Sequence, residues 1–352
     1  MKKLLLALSL FVTPAYADYT IYTSGGAGGA TGQWNIAVAS ALSMFTDKPV
    51  KVEHIKGSGG RKVFDEYWKN FDKGVVLSFN ADYATNYMVN PKWKKIDFAQ
   101  YCPVLLMNHS SVVYTHNDID PMSFTTGSVA IHGKSIPDMM GLVMLAVGPA
   151  TTSEYLAHFG PDGINPITGL KGPDRRMGIL NGELDFSRAP GSRVLKEDTL
   201  MNTVEGPRGG YKPLFSWGIQ TLDGIRPDPN ETQRGPLFET LFTKRWGEMP
   251  QGEFYNAMRT AANASHLLDG LFEECPDEDF ATTASLDAEN AFTNPEVINV
   301  FNKEMGKYDW YTGVHASMIW SGVITALQEP ATLDMITKVY KTIGLEAKPR
   351  IQ

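Results

Sequence analysis

The sequence predicts an α/β protein built on open, mostly parallel sheets. Two consecutive units with the order strand, glycine-rich loop and helix lie near the N-terminus, at residues 20–45 and 48–71. Apolar strands go on alternating with amphipathic helices further along the chain, which is typical of open α/β sheets. Ligands of such sheets bind at the carboxyl ends of the strands, where both glycine loops are expected.

The first unit joins a short strand over Thr20–Thr23 to a helix that reaches Phe45. The residues between them are Ser24, Gly25, Gly26, Ala27, Gly28, Gly29, Ala30 and Thr31. Thr31 suits the N-cap position of the helix. Apolar residues recur at the spacing of one buried helix face, at Trp34, Ala37, Val38, Ala41, Leu42 and Phe45.

This glycine-rich segment favours the binding of an anion. A loop before a helix exposes backbone N–H groups, and the positive end of the helix dipole lies at the same point. A plain connection without a ligand is the alternative. No lysine follows the glycines as in a P-loop, and no register fits G-x-G-x-x-G. A small carboxylate is therefore a better candidate ligand than a nucleotide.

The second unit repeats the first. A strand over 48–55 leads to Gly57, Ser58, Gly59 and Gly60, and a helix is predicted over 61–71. An apolar run over 74–79 is long enough for a buried parallel strand, and a short helix is predicted over 81–88. Because both glycine loops follow strands of one sheet, we expect them to face the same crevice.

More strands are predicted over 102–107 and 111–115 in the same lobe. A second lobe would contain strands over 128–132, 183–187 and 211–219. Ser135 and Asp138 suit the start of a helix with a capping box, and the methionines of that helix suit its buried face. From residue 251 onward the chain is predicted to be mostly helical, over 251–268, 295–305, 315–327 and 331–343.

Two cations of the second lobe are candidate ligand contacts. Lys134 precedes the helix that starts near Ser135, although a solvated surface lysine is the alternative. Arg188 follows the strand over 183–187, where its guanidinium group would either bind a carboxylate or pair with a neighbouring acid. The segment Lys171–Gly172 begins another predicted helix, which runs to about Leu180.

The first 17 residues, MKKLLLALSLFVTPAYA, have the three parts of a secretory signal peptide. Lys2 and Lys3 precede an apolar core, and Ala15-Tyr16-Ala17 is a small-x-small cleavage site. Cleavage after Ala17 would deliver the protein to the periplasm, and an uncleaved anchor is the alternative. The mature chain would carry 30 basic and 39 acidic residues, a net charge of −9. We therefore expect no nucleic-acid partner, and an anionic ligand must be attracted by local groups.

The sequence predicts neither a metal site nor a cofactor nor a catalytic group. The seven histidines have no metal-ligand spacing, and Ser58 lies in G-S-G-G rather than in G-x-S-x-G. Cys102 and Cys275 could form a disulfide in an oxidising compartment or could remain as two buried thiols.

Several segments together resemble the periplasmic solute-binding component of tripartite tricarboxylate transporters, the TctC or Bug family. SGGAGGAT is similar to the family's first loop, which ends in G-G-A-T-D, and KPVKVEHIKGSGG is similar to its P-V-x-V-x-N-x-x-G-A-G-G segment. VAIHGKS, ITGLKGPDRRMGILNGELDFSRAP and FTNPEVINVFNKEMG resemble later family segments. The chain differs in having Gly32 at the family's aspartate, His54 roughly at its asparagine, and a longer segment at about 224–294.

The resemblance implies a two-lobed periplasmic-binding-protein fold with a ligand cleft between the lobes. Residues 1–17 would be the signal peptide, 18–122 and 225–352 would form domain 1, and 123–224 would form domain 2. The two glycine loops of domain 1 would hold a carboxylate through backbone amides and water. The opposing residues of domain 2 would be His132, Gly133, Lys134, Ser135, Lys171, Gly172 and Arg188.

The expected function is the capture of a small carboxylate and its delivery to cognate membrane permease subunits after hinge closure. We expect a monomer that is not an enzyme. One alternative is a secreted protein that uses the binding fold as a sensor or structural component. Another is a secreted hydrolase, which would need a nucleophile and a base together in the cleft.

Overall fold

The computed structural model describes residues 20–46, 49–80, 82–93, 95–131, 135–170, 172–190, 211–221, 224–228, 235–266, 268–275 and 282–349. The strands are β1 (Thr20–Thr23), β2 (Lys51–His54), β3 (Val75–Asn80), β4 (Tyr101–Asn108), β5 (Ser111–His116), β6 (Gly127–Ile131), β7 (Ile164–Thr168), β8 (Phe186–Pro190), β9 (Tyr211–Ser216), β10 (Ile219–Thr221), β11 (Gly224–Arg226), β12 (Leu268–Glu274) and β13 (Asp309–Thr312). The helices are α1 (Ala30–Thr46), α2 (Lys62–Trp68), α3 (Asp82–Val89), α4 (Ile136–Val147), α5 (Thr152–Ala157), α6 (Gly172–Leu180), α7 (Phe238–Trp246), α8 (Glu253–His266), α9 (Thr283–Ala291), α10 (Pro295–Met305), α11 (Gly313–Gln328) and α12 (Pro330–Thr342).

The first sheet has the strand order β13-β4-β12-β3-β1-β2. β1 lies between β2 and β3 and is parallel to both. β12 is antiparallel to β3 and β4, and β13 is antiparallel to β4. The sheet is therefore mixed, with most of its strands running in one direction.

Helices cover both faces of this sheet. On one face α1 packs against α9 and α10, and Trp34, Val38 and Leu42 of α1 are fully buried. On the other face α2, α3, α8 and α11 contact the strands, and α12 packs on α8. The hydrophobic core of this second face continues through α4 and α8 to the second sheet.

The second sheet has the order β7-β6-β8-β5-β9. β6 is parallel to β7 and β8, whereas β5 is antiparallel to β8 and β9. Helix α4 is buried along nearly its whole length, and its methionines lie in the hydrophobic core as predicted. With two mixed sheets flanked by helices, the structure confirms the predicted fold class.

The chain passes from the first sheet to the second through His109 and Ser110, which are both buried. Cys102 of β4 forms a disulfide with Cys275, which follows β12, and the two residues are 173 positions apart. The sequence left open whether the two cysteines form a disulfide or remain as buried thiols, and the structure shows the disulfide.

Strand pairing over long sequence distances differs from the prediction. The strand at Ser111–His116 belongs to the second sheet, where it pairs with β8 and β9, and not to the first lobe. The predicted helix over 251–268 ends at His266, and Leu268 begins β12 in the middle of the first sheet. β13 has no counterpart in the prediction. The division of the chain into domains stays a prediction.

Some local predictions were also wrong. Helix α1 begins at Ala30, so Thr31 lies inside the helix and is not its N-cap. Phe45, which its spacing placed on the buried face of α1, is 36% exposed. The predicted strand over 211–219 is interrupted after Ser216, where Gly218 has a φ of 72° and turns the chain toward β10.

Candidate functional site

Three adjacent parallel strands end at one edge of the first sheet. In the register of these strands Thr23 lies beside His54 on one side and beside Ser78 on the other. The segment after β1 is the first glycine loop, Ser24–Gly29, and the segment after β2 contains the second, Gly57–Gly60. The chain after β3 enters α3. The structure thus brings the two predicted loops to the carboxyl ends of neighbouring strands.

The first glycine loop is held by the side chains of Thr23 and Asn35. Thr23 Oγ1 accepts hydrogen bonds from the Gly25 N–H at 3.1 Å and from Asn35 Nδ2 at 3.0 Å. Asn35 Nδ2 also donates to the Thr31 carbonyl at 2.8 Å. Both side chains are fully buried, so they fix the loop against the start of α1.

The first loop folds closely over Gly32. The Gly29 N–H donates to the Gly26 carbonyl at 2.8 Å, which closes a tight turn. A Cβ atom on Gly32 would lie 2.1 Å from that same carbonyl oxygen. No side chain fits at position 32 unless the loop backbone moves. This close approach is a physical reason for glycine at position 32, where the TctC or Bug family that the sequence resembles has aspartate.

The second glycine loop has an unusual backbone. The φ angles of Gly57, Ser58, Gly59 and Gly60 are all positive, at 137°, 50°, 65° and 91°. Among the described residues that are not glycine, Ser58 alone has a positive φ. The Gly60 N–H donates to the Gly57 carbonyl at 2.9 Å, so the second loop is a tight left-handed turn, a conformation that favours glycine.

Two side chains connect the loops to each other. His54 Nδ1 lies 2.5 Å from the Gly25 carbonyl oxygen, so the end of β2 is bonded to the first loop. The Tyr83 hydroxyl group, from α3, hydrogen-bonds the Ser24 hydroxyl group. A Cβ atom on Gly60 would lie 3.0 Å from the same Tyr83 oxygen. Tyr83 therefore touches both loops.

Basic residues surround the second loop. Arg61 donates from Nε to the Ser58 carbonyl at 2.7 Å and from Nη1 to the Lys92 carbonyl at 2.6 Å. Lys62 packs beside Gly57, and Lys56 lies next to Gly26 of the first loop. Within the described part of the chain, Lys56, Arg61 and Lys62 form no ion pair. They place three positively charged side chains at the two loops in a chain of net charge −7.

The candidate residues of the second sheet are only partly described. His132, Gly133, Lys134 and Lys171 lie outside the described residues, and Gly172 is the first residue of α6. Ser135 precedes α4 as predicted, but its fully buried hydroxyl group makes no hydrogen bond to the helix.

The capping box predicted at this helix is wrong because the Asp138 carboxylate has another role. It accepts a hydrogen bond from Trp217 Nε1 at 2.7 Å and lies 3.9 Å from Arg188 Nε. Arg188 lies within β8, not after its end, and its buried side chain also donates to Ser111 Oγ at 3.0 Å. Of the two roles considered for Arg188, the structure shows the pairing with an acid.

A buried histidine–aspartate pair lies where the chain crosses between the sheets. His109 Nε2 is 3.2 Å from Asp269 Oδ2, and His109 Nδ1 is 2.9 Å from the Ser110 carbonyl. The Ser110 hydroxyl group donates to Asp228 and not to the histidine. The pair therefore has no serine nucleophile at the neighbouring position.

The described ranges also bear on membrane and metal binding. No helix there is both long and apolar enough to span a membrane. In the same part of the chain, no group of three or more histidine, cysteine, aspartate and glutamate side chains could hold a metal ion.

Comparison with known proteins identifies the fold. The structure is similar to a TctC solute-binding protein from Polaromonas, with a TM-score of 0.55 and 13% identity over 93% of this chain and 99% of that one. It is also similar to the periplasmic binding protein BugD, with a TM-score of 0.55 and 12% identity over 94% and 98% of the chains. A Rhodopseudomonas palustris protein with bound adipate gives a TM-score of 0.58 and 12% identity over 95% and 99%.

No protein-family model and no curated protein sequence matches the chain. The similarities span nearly the whole chain at low identity, so they show the fold alone. The chain has the two-lobed fold of periplasmic solute-binding proteins. Within that class the similar structures include TctC and BugD, and the resemblance inferred from the sequence is confirmed at the level of fold.

Proposed function

We propose that the protein is a periplasmic solute-binding protein that captures a small carboxylate. The observation that carries this proposal is the pair of glycine loops at the ends of β1 and β2, which His54 and Tyr83 join into one unit. Two glycine-rich loops beside the N-terminus of α1 suit a compact anion with several acceptor oxygens, which backbone N–H groups at this point would bind.

Local charge supports an anionic ligand. The mature chain would have a net charge of −9, so its overall field repels anions. Lys56, Arg61 and Lys62 lie at the loops and form no ion pair among the described residues. Arg61 is oriented by two backbone carbonyls, which leaves its charge available near the second loop.

The second lobe would complete the site. From this lobe we propose His132, Gly133, Lys134, Ser135, Lys171, Gly172 and Arg188 as ligand contacts. The structurally similar protein with bound adipate makes a dicarboxylate a suitable first ligand to test. Arg188 would contact a ligand only if the ligand displaced or shared its pairing with Asp138.

The proposed function also assigns a location and partners. Residues 1–17 would direct export and be removed after Ala17. The loaded protein would close about the segments that join its lobes and deliver the ligand to cognate membrane permease subunits. It would bind its ligand without chemical change, so it would not be an enzyme.

Thermal unfolding of residues 18–352 with a panel of carboxylates tests this proposal. The panel should contain mono-, di- and tricarboxylates, including adipate, together with amino acids and aromatic acids. A ligand at a hundredfold excess over its dissociation constant adds roughly 2.7 kcal/mol to the free energy of unfolding. We expect a shift of a few degrees confined to one class of carboxylate.

Other outcomes would favour the alternatives. Unchanged unfolding temperatures across the panel would favour a sensor or structural role, with the glycine loops acting as connections. Cleavage of an ester or amide of one of these acids to the free acid and the released alcohol or amine, monitored by NMR, would favour a hydrolase.

A further inference from the structure

Strand β2 forms one edge of the first sheet in the described part of the chain. Its inner side pairs with β1, and the Ile55 N–H donates to the Thr23 carbonyl at 2.8 Å. Alternate residues of a strand direct their backbone groups to opposite sides. The N–H and C=O groups of Lys51, Glu53 and Ile55 therefore point toward β1. Val52 and His54 therefore direct their N–H and C=O groups outward. Such an edge is a template for another strand.

An apolar groove lies beside this edge on the face that α1 covers. Its lining residues are Ile36, Ala39, Ser40, Ser43, Met44, Val50 and Val52. Ile36 and Met44 are each 45% exposed. Helix α1 carries no charged residue from Ala30 to Thr46. The edge and the groove together form a surface that has exposed apolar side chains and unpaired backbone groups of β2.

We propose that β2 pairs with β2 of a second copy of this chain, antiparallel about a two-fold axis at Val52. In this register Val52 lies opposite Val52 of the second copy, and Val50 lies opposite His54. Lys51 lies opposite Glu53 on both sides of the axis. The two first sheets would form one continuous sheet of twelve strands, six from each copy.

The charge pattern selects a second copy as the partner. The outward backbone groups of Val52 make the Val52 pair a hydrogen-bonded pair, so the adjacent pairs of Lys51 and Glu53 are non-hydrogen-bonded pairs, whose side chains are closest. Opposite charges across such a pair stabilise the ladder, and like charges destabilise it. Lys51 and Glu53 form no ion pair among the described residues, so both are available for this contact.

The two-fold symmetry also accounts for the exposed apolar side chains of the groove. A two-fold axis at a hydrogen-bonded pair stands perpendicular to the sheet, so both copies of α1 lie on the same face of the continuous sheet. The two grooves then meet above the β2 ladder, where Ile36 and Met44 of each copy are covered. The glycine loops lie beyond the carboxyl end of β2, outside the paired residues 50–54. The inference departs from the expectation of a monomer and does not depend on the identity of the ligand.

Sedimentation velocity of the purified protein from about 1 to 500 μM tests the proposal. We expect wild type to form a dimer. Lys51→Glu places glutamate opposite Glu53 at both symmetric pairs and should weaken association at least tenfold. The double variant Lys51→Glu/Glu53→Lys restores opposite charges in the reverse order and should restore the dimer.

A second pair of variants tests the groove. Met44→Asp should weaken association at least tenfold, whereas Val314→Asp, at a 75% exposed apolar residue on α11, should leave it unchanged. Circular dichroism would confirm that each variant is folded. A wild type that stays monomeric throughout the range would overturn the proposal. Equal dimer dissociation constants for wild type, Lys51→Glu and the double variant would also overturn it.

Discussion

The hydroxyl group of Tyr83 on α3 hydrogen-bonds the hydroxyl group of Ser24 in the first glycine loop. The aromatic ring of Tyr83 is held in place, with ring centroids 5.0 Å from Trp93 and 5.7 Å from Phe64. Both of these neighbours are buried. Because α3 follows β3, all three adjacent strands contribute to one constellation: the loops after β1 and β2, and the tyrosine after β3.

Tyr83→Phe removes the contact to Ser24 and keeps the ring packing. We expect up to about fivefold weaker ligand binding in calorimetry, because a first loop without this bond must be ordered when the ligand binds, which costs up to about 1 kcal/mol. The unfolding temperature should change little. Tyr87→Phe is the matched control, since Tyr87 lies on the same helix and its hydroxyl group is 3.4 Å from Asp97, away from the loops. Equal affinities for Tyr83→Phe and wild type would remove Tyr83 from the site.

Gly59→Val should abolish detectable ligand binding while the fold is retained. Gly59 has a φ of 65°, where a side chain costs roughly 1–2 kcal/mol, and a branched residue would reorient the N–H groups of the second loop. Gly247→Val is the control, because Gly247 also has a left-handed φ, 81°, and open space around it, but it ends α7. If both variants bound ligand with wild-type affinity, the second loop would not hold the ligand.

Gly32→Ala should lower the free energy of unfolding by about 1–3 kcal/mol, because the added methyl group overlaps the backbone of Gly26 and Ala27. Replacement of glycine by alanine inside a helix normally stabilises it by roughly 0.5–1 kcal/mol. Gly322→Ala in α11 should follow that rule, since a Cβ atom added there would meet no atom within 4 Å. Chemical denaturation of the two variants should therefore give changes of opposite sign. Two changes of the same sign would contradict the close approach at Gly32.

The first three strands and their connecting helices could be predicted from the sequence because each unit is local. Glycine runs, apolar helix faces and short strands follow one another there within about 90 residues. β12 could not be predicted in this way, since Leu268–Glu274 contains three acidic residues and a glycine. Its position is set by β3 and β4, more than 150 residues away, which supply both neighbours.

In the candidate site, too, contacts between residues far apart in the sequence could not be predicted. The two loops could be identified by composition, whereas Tyr83 has no motif and contacts Ser24 across 59 positions. His54 stands out in the sequence only as a departure from a family pattern, and its bond to the Gly25 carbonyl depends on the β1–β2 register. The predicted strand before Arg188 is too short, because β8 continues to Pro190 and directs the guanidinium group toward Ser111 and Asp138.

Loss of the disulfide between Cys102 and Cys275 should lower the free energy of unfolding by about 2–5 kcal/mol, because the bridge closes a long loop in the unfolded chain. The variant Cys102→Ser/Cys275→Ser should therefore unfold at least several degrees below wild type in calorimetry. A reducing agent should lower the unfolding temperature of wild type and leave that of the double variant unchanged. Equal unfolding temperatures for wild type and the double variant would show that the bridge adds no stability.

Glu273 gives a prediction about pH. Its side chain is partly buried between β12 and α9, where it accepts hydrogen bonds from Thr282 Oγ1 at 2.5 Å and Ser285 Oγ at 2.9 Å. Burial raises the pKa of Glu273, and these two hydrogen bonds oppose the rise. The folded state therefore binds the proton more tightly than the unfolded state. The contribution of Glu273 to stability is present below its ordinary pKa and is lost as the pH rises through its folded pKa.

Glu273→Gln removes this loss, so the free energy of unfolding of the variant relative to wild type should increase as the pH rises from about 4 to 7. Urea denaturation at several pH values measures this difference, and effects shared by both proteins cancel in it. Ser285→Ala should act in the opposite direction, because it removes a donor that stabilises the carboxylate and so raises the pKa further. A relative free energy that stays constant or decreases over this pH range for Glu273→Gln would contradict the raised pKa.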